Sequence, residues 1–199
     1  AASSPIIIEH VSPQIDAGRY AVKREVGDTM DVTCNIFKDG HDLIKAVILC
    51  RLADSSEWWE TPMTEVNHGL AQWHGQLWFG TNARYIYTIE AWVDEYGTWL
   101  DGTTKKLEAG QDISLELVEG ADMVRKTVER LKTIKDVRDE DARKNDMALL
   151  QDALKRFDEN EDMFQCANIL MGNEVSEAMD RWPDREKATR YDRELEVYV

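Results

Sequence analysis

The sequence has few cysteines, no block of basic residues and no long apolar run. Its three cysteines, Cys34, Cys50 and Cys166, lie in apolar stretches and form an odd set, which is typical of reduced thiols that pack as small hydrophobic side chains. A Cys34–Cys50 disulfide is the alternative. No apolar run reaches the length of about 18 residues that a membrane span needs, and residues 1–8 lack the basic and apolar regions of a signal peptide. We therefore expect a cytoplasmic protein with no membrane partner.

Acidic side chains outnumber basic ones by 39 to 24, which gives the 199-residue chain a net charge of −15. The electrostatic field of such a chain repels polyanions, so we expect no nucleic-acid partner. The composition is 43% hydrophobic and includes seven Trp, six Tyr and four Phe. That apolar content is enough to bury a core, so the chain should fold despite its charge.

Motifs for catalysis, metal binding and phosphate binding are missing as well. No Cys or carboxylate lies at a familiar ligand spacing from the four histidines, and there is no Gly-x-Ser-x-Gly elbow or glycine-rich phosphate loop. Glu90 and Asp94 could form a carboxylate pair beside Trp92, although a solvated strand face is the alternative. We therefore assign no catalytic residue, no metal site and no cofactor.

Composition changes near residue 110. Residues 1–110 hold six of the seven Trp and nine of the eleven Gly with 25 charged residues, whereas 111–199 hold 38 charged residues and two Gly. The first part is rich in β-branched and aromatic residues separated by turn residues, which predicts strands over 29–37, 46–52, 72–78 and 84–93. Strands that follow one another without helical patterns between them favour an antiparallel sandwich.

Apolar residues in the second part recur at helical spacing. They predict three or four amphipathic helices joined by short links, hence a small antiparallel bundle. The stripes comprise Leu117, Ala121, Val124, Val128 and Leu131; Met147, Leu150, Leu154 and Phe157; Met163, Ala167, Leu170 and Met171; and Val175, Ala178, Met179 and Trp182. Alternating Leu195, Val197 and Val199 predict a strand that returns to the sandwich. We therefore expect an α+β chain with a β-sandwich over 1–110, closed at about 192–199, and an inserted helical bundle over 111–187.

The order of short motifs resembles one enzyme family. The motifs are GRYAVKR at 18–24, VGD at 26–28, FKDGHD at 37–42, YIYTIEAW at 85–92, KK at 105–106, AGQD at 109–112, PDR at 183–185 and TRYDREL at 189–195. Together they are similar to the N-terminal region of the bacterial alpha-1,4-glucan:maltose-1-phosphate maltosyltransferases. The similarity runs from about Ile6 to Val199.

This resemblance implies an immunoglobulin-like N domain with an inserted helical bundle, from an enzyme of glycoside hydrolase family 13. Such enzymes move maltosyl units from maltose 1-phosphate onto alpha-1,4-glucans and release phosphate, using two carboxylates on a (β/α)8 barrel. The barrel falls outside the region of similarity, so no catalytic residue is transferred to this chain. The resemblance further implies that the chain serves homodimerisation and packing against the parent's own catalytic barrel. The N-terminal region of another family-13 amylase is an alternative.

Trp58 and Trp59 are the candidate carbohydrate-binding residues. Sugar rings stack on exposed indoles through their C–H faces, and these two lie in a polar stretch that follows a turn. Adjacent strand residues point to opposite sides, so at most one of them can be core. Trp73, Trp78, Trp92 and Trp99 are expected in the same sandwich. The alternative for all these rings is packing in the core or on the barrel. An alpha-glucan-binding module is therefore the second functional hypothesis.

Overall fold

The computed structural model describes residues 4–199, so the first three residues of the predicted 1–110 region lie outside the described part. The chain divides into two units, one running up to Val93 and resuming at Arg185–Val199, the other spanning Asp94–Asp184. The first unit is built from strands and the second from helices, which confirms the α+β class. None of the helices in the described part is long and apolar enough to cross a membrane.

The strands of the first unit form two sheets. Their order is β1-β3-β7-β6 in one and β2-β10-β8-β4-β5 in the other, with β9 also paired to β8. Neighbouring strands are antiparallel except for β2 and β10, which run parallel. The strands are β1 Ile7–Ser12, β2 Val22–Lys23, β3 Thr29–Phe37, β4 Ile44–Leu52, β5 Trp59–Pro62, β6 Thr64–Asn67, β7 Gln72–Trp78, β8 Arg84–Val93, β9 Thr189–Arg190 and β10 Leu195–Tyr198.

Alternation of apolar and polar residues places one face of each sheet in a shared core. On β3 the buried side chains are every second residue, from Met30 to Ile36. They join Trp73 and Leu77 of β7 and the inward residues of β8 in a single apolar cluster that draws on both sheets. The returning strand adds Leu195 and Val197 to this cluster, as the alternation at the C-terminal end predicts.

Five helices form the second unit and share another apolar cluster. The side chains of Asp94, Asp139 and Asp162 cap α1, α3 and α4 by accepting hydrogen bonds from backbone N–H groups in the first turn. Pro183 follows the last helix, as expected of a residue that cannot continue one. The helices are α1 Glu95–Glu108, α2 Ser114–Thr133, α3 Glu140–Asp158, α4 Met163–Leu170 and α5 Asn173–Arg181.

The predicted boundary near residue 110 is wrong by one helix. Helix α1 belongs to the helical unit, where Tyr96 and Trp99 pack in the second cluster. The indole of Trp99 lies against Gly120 of α2, so closely that a Cβ there would approach the ring to 2.3 Å. Two glycines and three threonines give α1 a low intrinsic helix propensity, which explains why its sequence resembles the strand-rich part.

Candidate functional site

The two adjacent tryptophans lie on opposite faces of the six-stranded sheet. Trp59, the first residue of β5, packs on the shared core and meets the ring of Tyr85 edge-on, with 6.0 Å between ring centroids. Trp58 packs on the outer face against a separate cluster that contains Val47 and Trp92. This confirms that at most one of the pair is core. Trp58 is therefore the indole that can line a surface site.

Two arginines lie over the ring of Trp58. The guanidinium carbon of Arg51 is 5.0 Å from the ring centroid, and that of Arg190 is 5.6 Å away. Arg51 also donates hydrogen bonds to the backbone oxygens of Leu52, Ala53 and Ser55 at 3.0–3.3 Å, and to Glu194 at 3.3 Å. The ring of Trp58 is thus held among fixed cationic groups.

An open depression of about 450 Å³ lies beside this ring. Hydroxyl, carboxylate, guanidinium and indole groups surround it, and such groups match the hydroxyls and C–H faces of a sugar. Its lining residues are Arg51, Ala53, Asp54, Ser55, Ser56, Trp58 and Glu194. The depression is thus the concave feature that fits the predicted role of Trp58, while Trp59 is turned away from it.

The carboxylate of Glu90, which is bonded to one of the two arginines over Trp58, forms ion pairs with two arginines. Arg185 donates two hydrogen bonds to Glu90 and one to Glu60, and Arg190 bonds the other Glu90 oxygen at 3.2 and 3.3 Å. Arg185 also stacks on Trp92, with its guanidinium carbon 4.2 Å from the ring centroid. Burial acts to lower the pKa of Arg185, but hydrogen bonds and charge from Glu60 and Glu90 outweigh it and raise that pKa.

Glu90 and Asp94 therefore do not form a pair poised for acid–base chemistry. Glu90 is a 13% exposed carboxylate that forms ion pairs with two arginines. Asp94 accepts a hydrogen bond from the N–H of Gly97 and begins α1. The alternative of a solvated strand face does not hold either, because Trp92 is buried and the side chain of Glu90 is only 13% exposed.

All three cysteines are free and buried. Burial raises the pKa of Cys34 and of Cys50 to about 12, and burial with the nearby charge of Asp162 raises that of Cys166. Thiols in this state carry almost no nucleophilic thiolate at neutral pH. The Cys34–Cys50 disulfide is absent. Among residues 4–199, no group of three or more His, Cys, Asp or Glu side chains is placed to hold a metal ion.

The remaining tryptophans do not share one location. Trp73 lies in the sheet core and Trp99 in the helical unit, which corrects the expectation that Trp99 belongs to the sandwich. Trp78 is 67% exposed, so it does not pack in the core of the sheets. The alternation in β7 carries the signal that could have separated it, because Trp73 and Leu77 point inward and Trp78 falls on the opposite, polar face.

Comparison with known proteins assigns this arrangement to a family. The family model for alpha-1,4-glucan:maltose-1-phosphate maltosyltransferase, domain N/S, matches residues 4–199. The chain therefore belongs to this family and corresponds to its N-terminal region, which confirms the resemblance. The match covers both units of the structure.

Curated relatives are maltosyltransferases of the same name. The chain is 39% identical over 198 residues to the protein of Myxococcus xanthus, covering 98% of this chain and 28% of the relative. It is 33% identical to that of Rhodospirillum rubrum, covering 99% and 29%. It is 42% identical over 137 residues to that of Chlorobaculum tepidum, covering 69% and 19%. The chain thus spans less than a third of each of these relatives.

Proposed function

We propose that the chain is the non-catalytic N-terminal portion of an alpha-glucan-building maltosyltransferase, serving domain packing and homodimerisation. The observation that carries this proposal is the match to domain N/S over residues 4–199, in a chain that spans 28% and 29% of two maltosyltransferase relatives. The two-sheet unit is proposed to be an immunoglobulin-like sandwich and the helical unit an inserted bundle. Support comes from the chain path, which leaves the sheets after β8 and returns in β9 and β10.

The whole protein is proposed to transfer maltosyl units from maltose 1-phosphate to an alpha-1,4-glucan and to release phosphate. Its chemistry would follow the retaining mechanism of glycoside hydrolase family 13 on a barrel supplied by the rest of the protein. The names of the relatives support the reaction, and the motif resemblance supports the mechanism. A cytoplasmic location fits the free thiols of this chain.

The non-catalytic role is supported by the state of the reactive groups described above. Glu90 is engaged in ion pairs with two arginines, and the thiols are buried with raised pKa values. The test is a phosphate-release assay with maltose 1-phosphate and maltoheptaose, with the full-length Myxococcus xanthus relative as the positive control. We expect this chain to give background release only. Turnover above background would show that it holds a reaction centre and would refute the proposal.

The homodimerisation role is supported by exposed apolar side chains on α2. Leu115 and Val118 are 68% and 50% exposed and lie three residues apart, so they share one face of the helix. Apolar side chains in such a position lose contact with water when a second surface covers them, and that loss favours association. The helix face that carries Leu115 and Val118 is therefore the proposed contact region.

An alpha-glucan-binding module remains the second candidate, because Trp58 lines the open depression beside Arg51 and Glu194. Titration with maltoheptaose, followed by calorimetry, tests it. We expect Trp58→Ala to abolish the signal if this depression binds glucan. Thr61→Ala on β5, which does not line the depression, should leave the signal intact. No heat at millimolar sugar would exclude this function.

A further inference from the structure

The outer face of the four-stranded sheet carries two exposed rings at opposite ends of its strands: Phe37, 40% exposed, at the end of β3, and Trp78, 67% exposed, which lies beside a row of polar side chains. Trp78 stands at the end of β7, opposite Thr29 of β3. The next outward pair along the two strands is Gln76 with Asp31, and His74 follows. This row is separate from the Trp58 depression, which lies on the other sheet.

The polar groups of this row are fixed by one another. The Gln76 amide donates to Oδ1 of Asp31 at 2.9 Å, and Nε2 of His74 lies 2.9 Å from the same oxygen. These hydrogen bonds, first that from Gln76 and then that from His74, lower the pKa of Asp31, so it is a carboxylate at neutral pH. The row therefore offers a carboxylate acceptor with an amide and an imidazole beside it.

The ring of Trp78 is supported from behind by a glycine. A Cβ at Gly80 would lie 2.7 Å from two carbons of the indole, so the ring rests directly on the backbone there. Gly80 does not have the positive φ that would itself demand glycine. The absence of a side chain at Gly80 therefore permits the close approach of the Trp78 ring. An indole placed against the backbone has less rotational freedom to lose than a free one, which lowers the entropy cost of stacking on it.

A rigid indole beside planar polar groups suits a neutral sugar. The ring accepts the C–H face of a pyranose, and the amide, imidazole and carboxylate can bond its hydroxyls. The net charge of −15 and the carboxylate of Asp31 disfavour an anionic ligand. We propose that Trp78, supported by Gly80 and flanked by Gln76, Asp31 and His74, is a stacking site for a neutral alpha-glucan. The sugar class rests on the proposed function, and the site itself rests on the geometry.

The experiment follows the indole N–H signals of the full 199-residue chain by NMR during titration with maltoheptaose. The signal of Trp78 is identified by its loss in Trp78→Ala. We expect it to shift in a saturable manner in the wild type. Gly80→Ala, which displaces the ring without removing it, should weaken the affinity by about tenfold, the order expected when a central aromatic contact is lost. Phe164→Ala on α4, which removes another exposed ring (63% exposed) that has no part in either sugar site, is the matched control and should titrate like the wild type.

The outcomes separate this proposal from the function on which it rests. Shifts confined to Trp58, or lost in Trp58→Ala alone, would overturn the Trp78 site while supporting the glucan-binding depression. No shift at millimolar sugar would overturn both sugar sites and leave the assembly role untouched. A Trp78 signal that moves with protein concentration and not with sugar would also overturn the proposal, since it would show that a second copy covers the ring. Unchanged far-UV circular dichroism in each variant establishes that it folds.

Discussion

The outward-facing tryptophans of the two sheets differ in whether other side chains cover them. On the six-stranded sheet, Trp58 and Trp92 are covered by guanidinium groups that are themselves anchored on Glu90. On the four-stranded sheet, Trp78 rests on Gly80 and faces solvent. An outward indole is therefore covered where arginines that are anchored on a carboxylate lie close to it. Without them it stays open to a ligand.

Arginine suits this covering role because its planar group can stack on a ring and bond a carboxylate at once. Arg185 does both, with Trp92 beneath it and Glu60 and Glu90 at its edge. Glu90 is therefore the residue on which the covered face depends.

Glu90→Gln should have the largest effect on stability. The change keeps the shape of the side chain but removes the negative charge that pairs with Arg185 and Arg190, at a position that is mostly buried. We expect the free energy of unfolding in urea to fall by about 2 kcal/mol, below the full cost of breaking a buried pair because both arginines retain access to water. Glu60→Gln is the control, since Glu60 is 47% exposed and should cost less than about 1 kcal/mol. Equal losses in the two variants would show that Glu90 does not anchor this face.

Replacing one tryptophan on each face should change the free energy of unfolding by less than Glu90→Gln does. Trp58→Ala removes a ring that packs on the outer cluster and under two arginines, so we expect a loss of about 1–2 kcal/mol. Trp78→Ala removes a ring that is 67% exposed, so its effect should stay within about 0.5 kcal/mol. Urea unfolding of both variants measures the two values. A larger loss of stability in Trp78→Ala than in Trp58→Ala would show that the ring of Trp78, and not that of Trp58, is the more important for the structure.

The smallest effect concerns acid stability on the open face. The pKa of Asp31 is lowered in the folded chain, so its carboxylate contributes stability above its usual value of 3.8. That contribution is lost as the pH falls below 3.8 and through the lower folded pKa. The melting temperature of Asp31→Asn should therefore lie below that of the wild type at pH 7 and approach it at acid pH. Gln76→Ala, which removes the main donor, should reduce this pH dependence, and an identical gap at pH 7 and pH 3 would contradict the account.

Much of the fold can be predicted from alternation and helical spacing, since these follow directly from which side chains are buried. Strands over 29–37, 72–78 and 84–93 are confirmed, and the strand predicted over 46–52 begins two residues earlier. The helical stripes are confirmed as α2 to α5. Helix α1 could not be predicted so easily, because its glycines and threonines hide a pattern that only the packing of Trp99 on Gly120 makes evident.

The site is less predictable because its contacts are far apart in the sequence. Arg185 lies 95 residues from Glu90 and joins it only through the return of the chain. No local pattern around Trp58 or Glu90 indicates that arginines cover them. The open position of Trp78, in contrast, follows from its place in β7, and only its support by Gly80 required the structure.

If this chain serves assembly rather than chemistry, it should associate with itself, and sedimentation equilibrium measures that association. The 199-residue chain should sediment with twice its 22.9 kDa mass at micromolar concentration. Leu115→Glu on α2 should weaken this association by at least about tenfold, whereas Trp78→Ala should leave it unchanged. A single mass of 22.9 kDa across the whole concentration range would contradict the proposed role in homodimerisation.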